Sequence, residues 1–153
     1  MKGDPEIVAV LNKLLSLELA ASHQYLAQSH MCRHWGLVKL ADKQLEESAE
    51  ETTHAQRLIN QILFLEDLPE MDRAPLNLGS TVPAHLENDL NFEKKVHAAY
   101  KVAIKACIEK NDAVTRQILE TIQAQTEEHI LWLETQQHLI EITGLQNFLS
   151  DWR

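Results

Sequence analysis

Apolar residues recur along the chain at alternating spacings of three and four, the period that places them on one face of an α-helix. The first stripe runs Ile7, Leu11, Leu14, Glu18, Ala21, Tyr25, and the second Leu37, Leu40, Gln44, Glu47, Glu51, His54, Leu58, Gln61, Leu65. The third is Leu86, Leu90, Glu93, His97, Tyr100, Ile104, and the fourth Ile118, Ile122, Thr126, His129, Leu133, Gln136, Ile140. Residues 6–35, 37–68 and 84–143 contain neither glycine nor proline, so nothing breaks long helices there. Asp4-Pro5 reads as an N-cap followed by proline at the first helical position. Gly36 separates the first two helices, and Pro69, Pro75, Gly79 and Pro83 crowd into one connecting segment. Asn111-Asp112 divides the last long stretch, with Asp112 capping the helix that follows, and Gly144 ends it. The pattern predicts helices over 5–34, 37–65, 83–110, 113–143 and 145–151, with a crossover over 66–82.

These elements make one all-α domain over 1–153: two helical hairpins joined by a long crossover, with a short fifth helix at the end. That connectivity is the ferritin-like form of the four-helix bundle. The formal charge of −9, from 23 acidic and 14 basic residues, argues against a nucleic-acid-binding body, which needs a basic surface. No apolar run approaches the roughly 18 residues that span a bilayer, and the opening MKGDPEIVAV does not resemble a secretion signal. No membrane association is expected, and two isolated cysteines, Cys32 and Cys107, suit a reducing cytoplasmic setting better than a disulfide framework.

The informative feature is what interrupts the apolar stripes. Each helix carries a metal-ligand type of side chain near its middle: Glu18, Glu51 with His54, Glu93, and His129. Burying a lone carboxylate costs several kcal/mol (roughly, from transfer and ion-burial energetics), and burying three together sets like charges against one another. A bound cation resolves both, since carboxylate oxygens and imidazole nitrogens coordinate it. Glu51-Thr52-Thr53-His54 places two such groups on one helix face, one turn apart. Taken singly, a Glu-x-x-His is most often a solvated face; four helices with the same chemistry at the same level point to metal.

At these residues the chain resembles the bacterioferritins of the ferritin-like family. The resemblance runs through LNKLLSLELAASHQY, Trp35-Gly36-Leu37, ILFLEDLP at 62–69, HILWLET at 129–135 and GLQNFL at 144–149. It implies a hollow shell of 24 subunits that oxidises Fe(II) at a di-iron site in each bundle and stores the ferric product as mineral. Glu18, Glu51, His54, Glu93 and His129 align with the family's metal ligands, and Tyr25 with a tyrosine beside the centre that serves as a candidate electron donor. Tyr25 reads equally as a core aromatic. Glu46 and Glu50 fall where the family keeps an inner-surface iron site, though a solvated acidic face is the simpler reading. A ferredoxin-type reductant for iron release is also implied.

Two departures stand out. The family's second Glu-x-x-His lies on the fourth helix, but here the residue three before His129 is Thr126, so a bridging carboxylate is missing. Glu127 points roughly 200° away from His129 at 100° per residue. Two Fe(II) ions bring four positive charges against three from Glu18, Glu51 and Glu93; Glu47, one turn before Glu51, partly compensates. Impaired ferroxidase activity is expected. The second departure is Thr52, which stands where the family places the methionine that ligates haem, so haem is not expected in a homo-oligomer. The leading expectation is an iron-storage subunit with an altered di-iron site. The alternative is a non-catalytic structural subunit of a mixed shell, whose partner bacterioferritin carries the haem methionine and the oxidation chemistry. A monomeric or dimeric di-metal oxidase is a third reading, against which the short fifth helix counts as a cage-building appendage.

Overall fold

The computed structural model describes residues 1–153. It contains five helices and no strand: α1 (Pro5–His34), α2 (Val38–Phe64), α3 (Val82–Glu109), α4 (Ala113–Thr143) and α5 (Leu145–Asp151). The ends are chemically marked. The Asp4 carboxylate accepts from Glu6 N at 2.8 Å, Thr81 Oγ1 from Ala84 N at 3.2 Å, and Asp112 Oδ1 from Thr115 N at 3.0 Å. Thr81 moves the start of α3 to Val82, one residue ahead of the sequence expectation, so that Pro83 occupies the second helical position. Gly36 has φ +82°, the left-handed conformation that lets α1 and α2 fold back on one another.

α1 packs along α2 and α3 along α4, and α1 against α3 joins the two hairpins. Leucines and small residues fill both ends of the bundle. One end holds Leu11, Leu15, Leu58, Ile62, Leu119 and Ile122; the other holds Leu40, Leu86, Leu90, Leu133 and Phe148. Between them lies a polar middle. The stripes match this arrangement with two differences. His97 is only half-buried and pairs at the surface with Glu127, 2.7 Å away. In α4 the buried line enters through Thr115 and Leu119, leaving Ile118 at the edge.

The crossover is tied to α1 by buried polar groups. Asn12 Oδ1 accepts from Glu70 N at 2.8 Å, Ser16 O from Ala74 N at 3.1 Å, and Gln24 Oε1 from Asn77 N at 3.0 Å. These bonds satisfy backbone donors that a covering segment would otherwise bury unpaired. α2 begins at Leu37 with no side-chain cap; instead Trp152 O accepts from Lys39 N and Leu40 N at 3.1 and 3.3 Å. α5 therefore has a task inside its own chain, and its presence is no argument for a cage. No helix is long and apolar enough to cross a membrane.

Candidate metal centre

The polar middle is made by residues that helical geometry stacks one turn apart. On α2, Glu47, Glu51 and His54 follow one another along the inner face. Glu18 enters from α1, Glu93 from α3 and His129 from α4. Glu18 and Glu93 are fully buried, and Glu51, His54, Glu47 and His129 are no more than 5% exposed.

Two groups of ligand atoms converge. Glu18, Glu51 and His54 form one, and Glu47, Glu51 and His129 the other, with the atoms of each group within 4.8 Å of one another. Glu51 belongs to both, which is the position of a bridge. In the first group His54 Nδ1 lies 3.3 Å from Glu18 Oε2 and 3.4 Å from Glu51 Oε2. In the second, His129 Nδ1 lies 3.3 Å from Glu93 Oε1 and 3.5 Å from Glu47 Oε2. Buried Glu47 Oε2, Glu93 Oε2 and His129 Nδ1 have no hydrogen-bond partner. Unpaired donors and acceptors at such depth are costly unless something else binds them. Oxygen and imidazole ligands suit a divalent transition metal, so the residues fit the group the sequence implied.

Outer partners aim these ligands. Gln125 Oε1 accepts from His54 Nε2 at 2.8 Å, which turns Nδ1 toward Glu18 and Glu51. Tyr100 Oη donates to Glu18 Oε1 at 2.8 Å, and Tyr25 Oη donates to Glu93 Oε1. Tyr25 also meets the His129 ring edge-on, with centroids 5.2 Å apart. Beneath Glu93 on α3, Asp89 Oδ1 accepts from Gln24 Nε2 and Gln28 Nε2 at 2.8 and 2.7 Å.

The electrostatics are those of an anion cluster awaiting a cation. Burial, reinforced by the Glu18 and Glu93 charges, holds the Glu51 carboxyl well above its ordinary range, which favours its neutral form. Burial alone would raise Glu18 too, but hydrogen bonds from Glu51, His54 and Tyr100 outweigh it and keep Glu18 ionised. Burial pulls both imidazoles down, and the carboxylates beside them, Glu18 for His54 and Glu93 for His129, bring each above its usual value. Burial, followed by the charges of Glu93 and Asp89, pushes the Tyr25 phenol well up, so it stays protonated.

All five ligand candidates read from the sequence thus meet in one place, and Glu47 joins them. Thr126 is buried, and its Oγ1 donates to Ile122 O at 3.1 Å, so the hydroxyl is committed to its own helix. Glu46 is exposed. Glu50 stands at the edge, its carboxylate 4.0 Å from His54 Nε2. Glu127 points outward to His97. At the haem-ligand position, Thr52 Oγ1 shares a 2.7 Å hydrogen bond with Ser22 Oγ, tying α1 to α2. Sequence reasoning missed Gln125, Asp89 and Lys43, and took Tyr100 for core alone. Their only signal was a polar residue one turn from a ligand.

A family model described as a ferritin-like domain matches residues 8–143. A bacterial ferritin from Synechocystis sp. is 46% identical over 152 residues, spanning 98% of this chain and 97% of its own length. A bacterial ferritin from Pseudomonas aeruginosa is 45% identical over 151 residues, spanning 98% of each chain. A bacterioferritin from Brucella melitensis is 39% identical over 149 residues, spanning 97% of this chain and 92% of that one.

Proposed function

The chain belongs to the ferritin-like family, among its bacterioferritins, and from that premise we infer that it is a cytoplasmic iron-storage subunit that loads Fe(II) at an altered centre inside its own bundle. The observation that carries the reading is the pair of buried ligand groups sharing Glu51. The cargo chemistry is oxidation of Fe(II) to Fe(III), one electron per ion passing to dioxygen or peroxide, and the ferric product is stored as mineral within a 24-subunit shell.

The residues divide the work of receiving that cargo. Glu18, Glu51 and His54 form the better-equipped position, with Glu18 oriented by Tyr100 and His54 by Gln125. Glu93 and His129 serve the other position, with Glu51 shared. Glu51 gives up its proton as the cation arrives, which exchanges a buried acid for a charge-balanced ligand. The hydrogen bond from Tyr25 to Glu93 supports a role for this phenol as electron donor to the dioxygen or peroxide, its proton passing to the carboxylate.

Thr126 marks the second position as the weaker one and favours slow oxidation. It also supports the alternative, a structural subunit that relies on a partner for the chemistry. Thr52 offers only a hydroxyl already bonded to Ser22, so a shell of this chain alone is expected to hold no bis-methionine haem.

The test is iron loading of the assembled apo-protein made from this chain alone. Retention of far more iron than the bundle sites can hold, in a particle of shell mass, supports storage; retention of two ions or fewer per subunit contradicts it. Stopped-flow oxidation of Fe(II) by oxygen and by peroxide then separates the two readings. Oxidation that saturates at the bundle sites, even if slow, marks an oxidising subunit, and mineral growth with no such site-limited phase marks a structural one.

A further inference from the structure

The second metal position has Thr126 where the resemblance implies a fourth-helix carboxylate, and Glu47 of α2 falls within its ligand group. We propose that Glu47 of α2 replaces that ligand, completing the second position with Glu51, Glu93 and His129, and that Lys43 is the cation which the metal displaces. The proposal rests on the intra-bundle reading above and specifies how its weaker half is built.

Three observations carry it. Glu47 Oε2 is buried without a hydrogen-bond partner, 3.5 Å from His129 Nδ1, and falls within one ligand group with Glu51 and His129. Glu93 Oε2 and His129 Nδ1 are likewise unpartnered, and the other Glu93 oxygen lies 3.3 Å from His129 Nδ1. The other Glu47 oxygen accepts from Lys43 Nζ at 3.0 Å. Lys43 is held in turn over the Trp132 ring, its Nζ 5.2 Å from the centroid.

The charge count agrees. Glu18, Glu51 and Glu93 leave two divalent ions one negative charge short, and Glu47 supplies it. Before metal binds, Lys43 offsets the Glu47 charge and makes its burial tolerable. When metal binds, Glu47 turns toward it and Lys43 has somewhere to go. A polar cavity of about 140 Å³ lined by Lys43, Glu47, Glu50, Gln125, Glu128 and His129 opens beside the pair. No hydrophobic residue lines this cavity, and it reaches His129.

The probe is Co(II), titrated into the assembled apo-protein and followed by calorimetry and by its visible absorption. Two tight equivalents per subunit are expected. Glu47→Gln should leave one and weaken the second at least ten-fold. Thr126→Glu combined with Glu47→Gln should restore two, which a merely structural role of Glu47 would not produce. Lys43→Met should tighten the second equivalent several-fold. Two equivalents of unchanged affinity in Glu47→Gln, or a single equivalent in the parent protein that Glu47→Gln leaves alone, overturns the role of Glu47. No response to Lys43→Met overturns the exchange. Failure of the parent protein to bind any Co(II) tightly overturns the intra-bundle site itself.

Discussion

Replacing Glu51 by glutamine should move stability in opposite directions with and without metal. In the metal-free protein Glu51 is 2% exposed and faces Glu18 and Glu93, which favours its neutral form. Its folded-state pKa is raised, so the sign is fixed. The group costs nothing below its unfolded value of about 4.3 and becomes steadily more destabilising as pH rises toward the folded value. At pH 7 the span above the unfolded value is ~2.7 units, which bounds the cost at about 4 kcal/mol; at pH 5 the bound is about 1 kcal/mol. Glutamine keeps the shape and the hydrogen bond to Glu18 but cannot ionise. Glu51→Gln should therefore raise the melting temperature of the metal-free protein at pH 7 by several degrees, at ~2–4 °C per kcal/mol for a chain of this length, and by much less at pH 5. With metal the sign reverses. A ligand at a hundred times its dissociation constant adds about 2.7 kcal/mol per site, so two sites add roughly 5 kcal/mol, or 10–20 °C. Glu51→Gln removes the shared ligand and should abolish most of that rise. The assay is thermal unfolding in chelator and in excess Co(II), at pH 5 and pH 7. A variant that is less stable than the parent in chelator at pH 7, or that keeps the full metal-dependent rise, refutes the reasoning.

Other consequences follow from the same packing. Burial raises Asp89 to about 7 despite the two glutamine donors, so it costs the fold stability progressively as pH rises from its unfolded value of about 3.9 to about 7, and no more above that. Asp89→Asn should flatten the fall in metal-free stability between about pH 4 and pH 7, measured by denaturant unfolding. Leu58 is completely buried in the larger apolar cluster, and Leu58→Ala should cost about 2–5 kcal/mol, read as a lower denaturation midpoint with unchanged helical content. Thr52→Met should give a homo-oligomer the thioether that haem iron accepts, visible as a low-spin haem spectrum after reconstitution that the parent protein lacks.

Much of this architecture is legible in the sequence because the signals are local. Gly36, Asp112 and Gly144 punctuate three helix ends, and the cluster from Pro69 to Pro83 marks the crossover. The ligands are legible for a related reason: Glu18, Glu51, Glu93 and His129 occupy places where only apolar side chains belong unless something binds them. What escaped is whatever depends on rotation or on distant partners. His97 satisfies the apolar spacing yet turns to meet Glu127, because a polar ring at the edge of the buried face reaches a charged partner at the surface. Gln125 lies beside the α4 stripe and matters only because His54 arrives from α2. Lys43 looks like an ordinary surface lysine until Glu47 and Trp132 are seen on either side of it. The cap that Trp152 places on α2 could not be read at all, since it joins positions more than a hundred residues apart.

The most direct test of the central claim is anomalous diffraction at the iron edge from crystals of the assembled protein soaked anaerobically in Fe(II). The account predicts two peaks inside each bundle, roughly 3.5–4 Å apart as in two-metal centres, one against Glu18, Glu51 and His54 and the other against Glu47, Glu51, Glu93 and His129. Peaks confined to surface acidic residues, with none inside the bundle, would contradict it.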